Sequence, residues 1–243
     1  MNRASHVTVL VALAAVWLAG CGTGGAGRSP QAQETSRSVV GQPPEPVGEG
    51  PLLVVLGDSL TAGLGLDPEQ AYPALLQQRL LAAGLGLRVV NAGVSGDTSA
   101  GGLSRLAWVL EGDVRLLIVA LGGNDALRAL PVQQLRRNLD QIIVHATSRE
   151  IPIILAGMEA PPNLGRDYTL EFRSVYDTLA KTHRLTLLPF LLEGVAGMER
   201  LNQPDGIHPT AEGARVIADH LWPLVEPMAR KALARTPSGT PAG

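Results

Sequence analysis

The chain has 243 residues, 45% of them hydrophobic but only 3% aromatic, and a formal net charge of −2. That is enough apolar material for one full core, which must be built from Leu, Val, Ile and Ala rather than from rings. The near-neutral charge excludes a large electrostatic footprint for nucleic acid or an anionic membrane, and the single cysteine, Cys21, excludes an internal disulfide.

Residues 1–20 read as a segment apart from the fold. Arg3 and the amino terminus give a positive start, and residues 7–19 form an apolar run of 13 broken only by Thr8. A bilayer span needs about 20 apolar residues, so this run fits a signal-peptide core better. It ends in Leu18-Ala19-Gly20-Cys21, which resembles a bacterial lipobox, where the cysteine is lipidated and becomes the new amino terminus. The alternatives are an ordinary secretory leader or an uncleaved anchor. After Cys21, residues 22–50 carry seven Gly, four Pro and three Ser without an apolar period. This composition predicts a disordered tether over residues 21–50.

A single folded domain is expected over residues 51–228. Its first element is the apolar run Leu52-Leu53-Val54-Val55-Leu56, a strand buried on both faces, which stops at Gly57. Residues 71–83 follow as a helix carrying Ala71, Ala74, Leu75, Leu80 and Leu81, ended by Gly84. Residues 87–92 read as a second strand, 99–110 as a helix and 116–121 as a third strand. A long helix over 132–149 has the stripe Val132, Leu135, Leu139, Ile142, Ile143 and Ala146. A strand at 151–157, a helix at 170–183, a strand at 185–189 and a helix at 210–225 complete the series. Residues 229–243 are expected as a C-terminal tail. Five buried strands alternating with helices predict a parallel sheet in a three-layer α/β/α sandwich with right-handed crossovers.

Polar clusters follow strands one, two, three and five. In a parallel sheet these loops open on one edge, the C-terminal one, where open α/β sheets place their chemistry. Topology alone can therefore bring together residues scattered from 59 to 208. Ser59, just past the first strand, is the candidate nucleophile and needs a base within hydrogen-bond reach. His145 and His220 fall on helix flanks, where a solvated surface histidine is the simpler reading. His183 ends a helix, where a cation gains from the dipole. Only His208 lies in a loop at the right edge with a carboxylate beside it, in Asp205-Gly206-Ile207-His208-Pro209. Gly206 permits a tight turn, so Asp205 can fold back onto one ring nitrogen and leave the other to face Ser59. Pro209 suits the first position of the last helix.

Acyl transfer also needs donors aimed at the developing oxyanion. Gly93 can present its N–H and Asn124 its side-chain amide, although both could be plain turn residues. Asp58, Asp97 and Asp125 read as structural acids that bond loop amides. Leu127, Leu130, Ala160 and Leu164 form an apolar loop pair suited to a fatty-acyl or aryl group. No metal is implied, because no His/Cys/Asp cluster has ligand spacing, and no cofactor is implied either.

Gly57-Asp58-Ser59-Leu60, Gly93, Gly122-Gly123-Asn124-Asp125 and Asp205-Gly206-Ile207-His208-Pro209 resemble, in order, the four blocks of the SGNH (GDSL) hydrolases. Residues 91–98 and 161–165 further resemble the bacterial envelope branch that hydrolyses acyl thioesters, lysophospholipids and aryl esters. Leu164 stands where that branch often carries Tyr. The resemblance implies Ser59 as nucleophile, His208 as base and Asp205 as its orienting partner. It also implies an oxyanion hole of Ser59 N–H, Gly93 N–H and Asn124. The implied fold is a flavodoxin-like five-stranded sheet of order 2-1-3-4-5. Gly57-Asp58-Ser59-Leu60-Thr61 does not fit the G-x-S-x-G elbow of an α/β-hydrolase. The expected protein is a lipid-anchored envelope esterase or thioesterase acting on small acyl esters, thioesters or lysolipids. The alternatives are a carbohydrate O-acetylesterase and a non-catalytic binding lipoprotein.

Overall fold

The computed structural model describes residues 50–235; the expected leader, Cys21, the expected tether up to residue 49 and residues 236–243 lie outside that range. β1 (Leu52–Gly57) is buried along its whole length, and α1 (Ser59–Ala62) follows after a single residue. Next come α2 (Tyr72–Ala82), β2 (Arg88–Gly93), the short helices α3 (Ser99–Ser104) and α4 (Leu106–Val109), and β3 (Val114–Ala120). α5 (Gly123–Leu127), α6 (Val132–Ser148), β4 (Ile153–Ala156), α7 (Arg166–His183), β5 (Thr186–Leu188) and α8 (Ala211–Ala234) complete the described chain.

The five strands make one parallel sheet in the order β2-β1-β3-β4-β5. α2 packs on α8, while α3, α6 and α7 pack together, so helices cover the sheet in two layers. The α6 stripe forms as its period predicts, with Val132, Leu135, Leu139, Ile142, Ile143 and Ala146 all buried. Burying a Leu or Ile fully contributes about 1.5–3 kcal/mol, so this one face outweighs the weak helix propensity of its β-branched members.

Several elements depart from the sequence expectation. β2 is an edge strand and only half-buried. The helix expected over residues 99–110 is two helices, broken at Arg105. α2 buries Tyr72, Leu76 and Leu80, an i, i+4 ladder, and leaves Leu81, about 100° further round the helix, 67% exposed. α7 begins at Arg166, ahead of the expected start at Leu170, and Leu170 faces outward.

The largest departure is α8, which continues to Ala234 through Pro223 and Pro227. It thereby takes residues 229–234 out of the expected tail. An interior proline costs about 3 kcal/mol in an isolated helix. Here the apolar ladder Ile217, Leu221, Val225, Ala229 and Ala232 is buried along the whole length, and that burial offsets the lost amides. Thr210 caps the helix by accepting from Gly213 N–H at 3.3 Å. Pro209 therefore lies before the cap rather than at the first helical position, and bridges to Asn202 instead.

Candidate active site

β1 ends at Gly57, which is registered between Gly93 of β2 and Ala120 of β3. These small residues form a floor for the turn that carries Ser59. A Cβ on Gly57 would lie 1.9 Å from Thr61 Oγ1, and one on Gly93 would lie 2.2 Å from the Ala62 nitrogen. Asp58 caps α1 by accepting from Leu60 N–H at 3.0 Å. Ser59 is the first helical residue and is buried except for 9% of its surface. Thr61 and Tyr72, both buried, share a hydrogen bond of 2.6 Å that ties α1 to α2.

The loop between β5 and α8 supplies the base. Gly206 takes φ +70°, the left-handed conformation that favours glycine, and reverses the chain there. Asp205 Oδ1 then accepts from the N–H groups of Ile207 and His208 at 2.9 and 3.0 Å. Its Oδ2 lies 2.7 Å from His208 Nδ1, and His208 Nε2 lies 3.0 Å from Ser59 Oγ. Gln203 secures the loop, donating to the carbonyls of Leu64 and Pro209 at 2.7 and 2.9 Å. Asn202 does the same from its buried side chain, donating to Val195 and Met198 carbonyls at 2.6 and 2.9 Å. No sequence signal singled out either residue, because their partners lie in irregular chain.

The two carboxyls nearest the serine sit in opposite environments. Hydrogen bonds from His208, backbone and ring, and from the Ile207 backbone pull Asp205 down to about 2. Burial pushes Asp58 up to about 6, against the lowering effect of Leu60 N–H and the Asn124 amide. Asp205 thus stays ionised wherever a neutral histidine could act as a base.

Asn124 stands in the first turn of α5. Its Nδ2 donates to Asp97 O at 3.0 Å and to Asp58 Oδ2 at 3.3 Å. Next to it, Asp125 is buried and accepts from the backbone and hydroxyl of Ser99 at 2.7 and 2.5 Å. Asn138 of α6 donates to the same Ser99 hydroxyl at 2.9 Å, so three helices fix this turn. Asp58 and Asp125 each accept a backbone N–H with their carboxylates, as expected of structural acids, whereas Asp97 meets Asn124 through its main-chain carbonyl.

Gly93 does not stand free as expected. Its N–H donates to Asn91 Oδ1 at 3.0 Å, and its Cα packs under α1. The glycine further along that loop, Gly96, takes φ +85°, and Arg128 holds its carbonyl at 2.8 Å.

A cleft of about 170 Å³ opens beside Ser59 and Asn124. Of the four residues expected in an acyl site, Leu127 lines it, whereas Leu130, Ala160 and Leu164 do not. Ala160 lines a separate depression with Arg166 and Arg173. The other apolar walls come from Met158 and Pro161 after β4 and from Leu192 and Ile207 between β5 and α8, two loops of the same sheet edge. His145 is exposed as expected, but His220 is half-buried with Nδ1 unpartnered among the described residues, and His183 pairs with Asp140 at 2.7 Å.

Comparison with known proteins matches residues 55–216 to the GDSL-like Lipase/Acylhydrolase family. Esterase TesA of Pseudomonas aeruginosa is 44% identical over 177 residues, 72% of this chain and 88% of that protein. Thioesterase 1/protease 1/lysophospholipase L1 of Escherichia coli K12 is 38% identical over 72% of this chain and 84% of that protein. The arylesterase of Vibrio mimicus is 36% identical over 69% and 84% respectively. A solved structure of TesA superposes with a TM-score of 0.70 at 44% identity, covering 74% of this chain and all but 1% of that one. Family match, fold and the alignment of most of the chain agree: this protein belongs to the GDSL-like lipase/acylhydrolase family of ester hydrolases.

Proposed function

We propose that the protein cleaves carboxylic esters and thioesters through an acyl-enzyme on Ser59. The observation that carries this reading is the continuous relay from Asp205 through His208 to Ser59, at 2.7 and 3.0 Å. His208 Nε2 takes the Ser59 proton as Oγ attacks the carbonyl carbon. The same imidazolium then protonates the departing alkoxide or thiolate, and a water repeats the sequence to release the acid. Asp205, ionised throughout, holds the ring and balances the imidazolium charge.

The oxyanion donors are assigned to Ser59 N–H, Asn124 Nδ2 and one backbone amide of the loop after β2. Gly93 is a poor choice for the last, because its N–H is already bonded to Asn91. Gly96 is the better one: its N–H has no acceptor among the described residues, and the adjoining Asp97 carbonyl touches Asn124. Apolar walls at Leu127, Met158, Leu192 and Ile207 favour acyl or aryl chains over a sugar ring. Relatives named esterase, thioesterase/lysophospholipase and arylesterase support the same substrate range.

A panel of p-nitrophenyl esters, acyl-CoA thioesters, lysophospholipids and acetylated sugars tests the reading. Turnover of the first three by wild type and none by Ser59→Ala is expected. Turnover of acetyl-sugars alone would favour an O-acetylesterase, and none at all a binding protein.

The catalytic body is further proposed to be tethered at the cell envelope by a lipid on Cys21, through residues 21–50, after removal of residues 1–20. Leu18-Ala19-Gly20-Cys21 supports this, and among the described residues no helix is long and apolar enough to cross a membrane. Cys21→Ser should abolish labelling by a palmitate analogue while leaving activity on soluble esters intact.

A further inference from the structure

Asn124 is one of three groups on three different loops that must keep register with Ser59, yet it lies on a helix of only five residues. Something outside α5 must fix its amide. Both of its Nδ2 protons are engaged, by Asp97 O and by Asp58 Oδ2. Asp97 is itself held from behind: Arg105 Nε donates to Asp97 Oδ2 at 2.7 Å. The second arm of the same guanidinium, Nη2, donates to Gly57 O at 2.9 Å, on the residue before Asp58-Ser59.

These bonds close a ring. It runs from Gly57 through Arg105, Asp97 and Asn124 to Asp58, which returns to Gly57 by a peptide bond. The ring joins the ends of β1, β2 and β3, the three strands whose loops carry the nucleophile and its oxyanion donors. Arg105 sits at the break between α3 and α4, where the chain turns its side chain inward. Its side chain is 16% exposed and that of Asp97 19%, so solvent screens the pair little. Gly101 makes room for the carboxylate, since a Cβ there would lie 2.5 Å from Asp97 Oδ1. Arg105 Nη1 is buried with no hydrogen-bond partner among the described residues.

We infer that Arg105 is a positioning residue for the oxyanion hole, setting the Asn124 amide relative to Ser59 by holding Asp97 and Gly57 at once. The inference rests on the assignment of Asn124 as an oxyanion donor. Lysine cannot replace arginine in this role, because one ammonium lacks the two-armed planar geometry that reaches both acceptors. The long contact from Asn124 to Asp58 is the bond that an oxyanion would displace. The shorter one to Asp97 is retained and aims the amide.

The test is a double-mutant cycle on p-nitrophenyl butyrate hydrolysis with Arg105→Lys, Asn124→Ala and the combination. Misaiming one donor should cost about 10- to 100-fold in kcat, with KM within about twofold of wild type. In the Asn124→Ala background, Arg105→Lys should cost less than about threefold more, because the group it aims is gone. A residue that merely stabilised the fold would lower the melting temperature and show the same rate loss in both backgrounds. Additive losses, or a folded Arg105→Lys with wild-type kcat, would overturn the inference. Asp97→Asn carries the same cycle should Arg105→Lys fail to fold. Asn124→Ala alone reports on the donor assignment, so failure of that reading is distinguishable from failure of this one.

Discussion

His208 Nε2 lies 3.0 Å from Ser59 Oγ, although 149 positions separate the two residues in the chain. The sheet makes this possible by placing the end of β1 and the loop after β5 on one edge, and Gln203 makes it firm by bonding the Leu64 and Pro209 carbonyls together. Neither residue works alone on this account.

Ser59→Ala and His208→Ala should therefore each remove most of the turnover, on the order of 10⁶-fold, and the double variant should lose little more. Asp205→Asn should cost less, on the order of 10⁴-fold, because the base remains but its ring is misoriented. Steady-state kinetics on a soluble ester checks this; independent, multiplicative losses would mean that the residues do not form one unit.

Asp58 makes a prediction about stability. Its carboxyl is raised to about 6 by burial, so the folded state binds a proton that the unfolded chain has released. A raised acid contributes stability fully below the unfolded value near 3.8 and loses it as pH climbs through about 6. At pH 7 the buried charge costs about 3 kcal/mol. Asp58→Asn keeps an oxygen for the Leu60 cap and removes that charge. Its melting temperature relative to wild type should rise between pH 4 and 7 and then level off, because only the wild type carries the buried charge. A difference in melting temperature that is flat across that range would contradict the assignment of the buried charge.

Asp205 behaves in the opposite sense. Lowered to about 2, it contributes stability above the unfolded carboxylate range that is lost only as pH falls towards 2. The Asp205 side-chain carboxyl, followed by NMR, should thus titrate well below the ordinary carboxylate range. A titration at or above 3.8 would contradict its hydrogen bonds to the His208 ring and backbone.

Asn124→Ala should lower kcat by about 10²–10³, or 3–4 kcal/mol, with little change in KM, since the donor acts on the transition state. Asn124→Asp should fold, melt near wild type and be at least as inactive, because a carboxylate there repels the oxyanion. An active, well-folded Asn124→Asp would take the residue out of the site.

The parts of this architecture legible in the sequence are those set by short-range pattern. β1 announces itself as five consecutive apolar residues, α6 by its 3.6-residue period, and the histidine turn by Asp205, Gly206 and His208 in sequence. What escaped was decided by distant contacts. The last helix is expected to stop at residue 225, and only the burial of Ala229 and Ala232 against the rest of the core carries α8 on to Ala234. The break at Arg105 falls in a stretch without Pro, and it is explained by a carbonyl 48 residues away. Gly93 reads as a free donor until the side chain of Asn91 is seen to fill its N–H. The cleft walls at Met158, Leu192 and Ile207 share no sequence motif because Met158 follows β4, while Leu192 and Ile207 stand 15 positions apart in the long connection from β5 to α8.

The most direct measurement is the mass of the intact protein and its peptides after reaction with a fluorophosphonate. One adduct per chain is expected, located on Ser59, absent in Ser59→Ala and formed far more slowly in His208→Ala. An adduct on any other residue, or full labelling of Ser59→Ala, would contradict it.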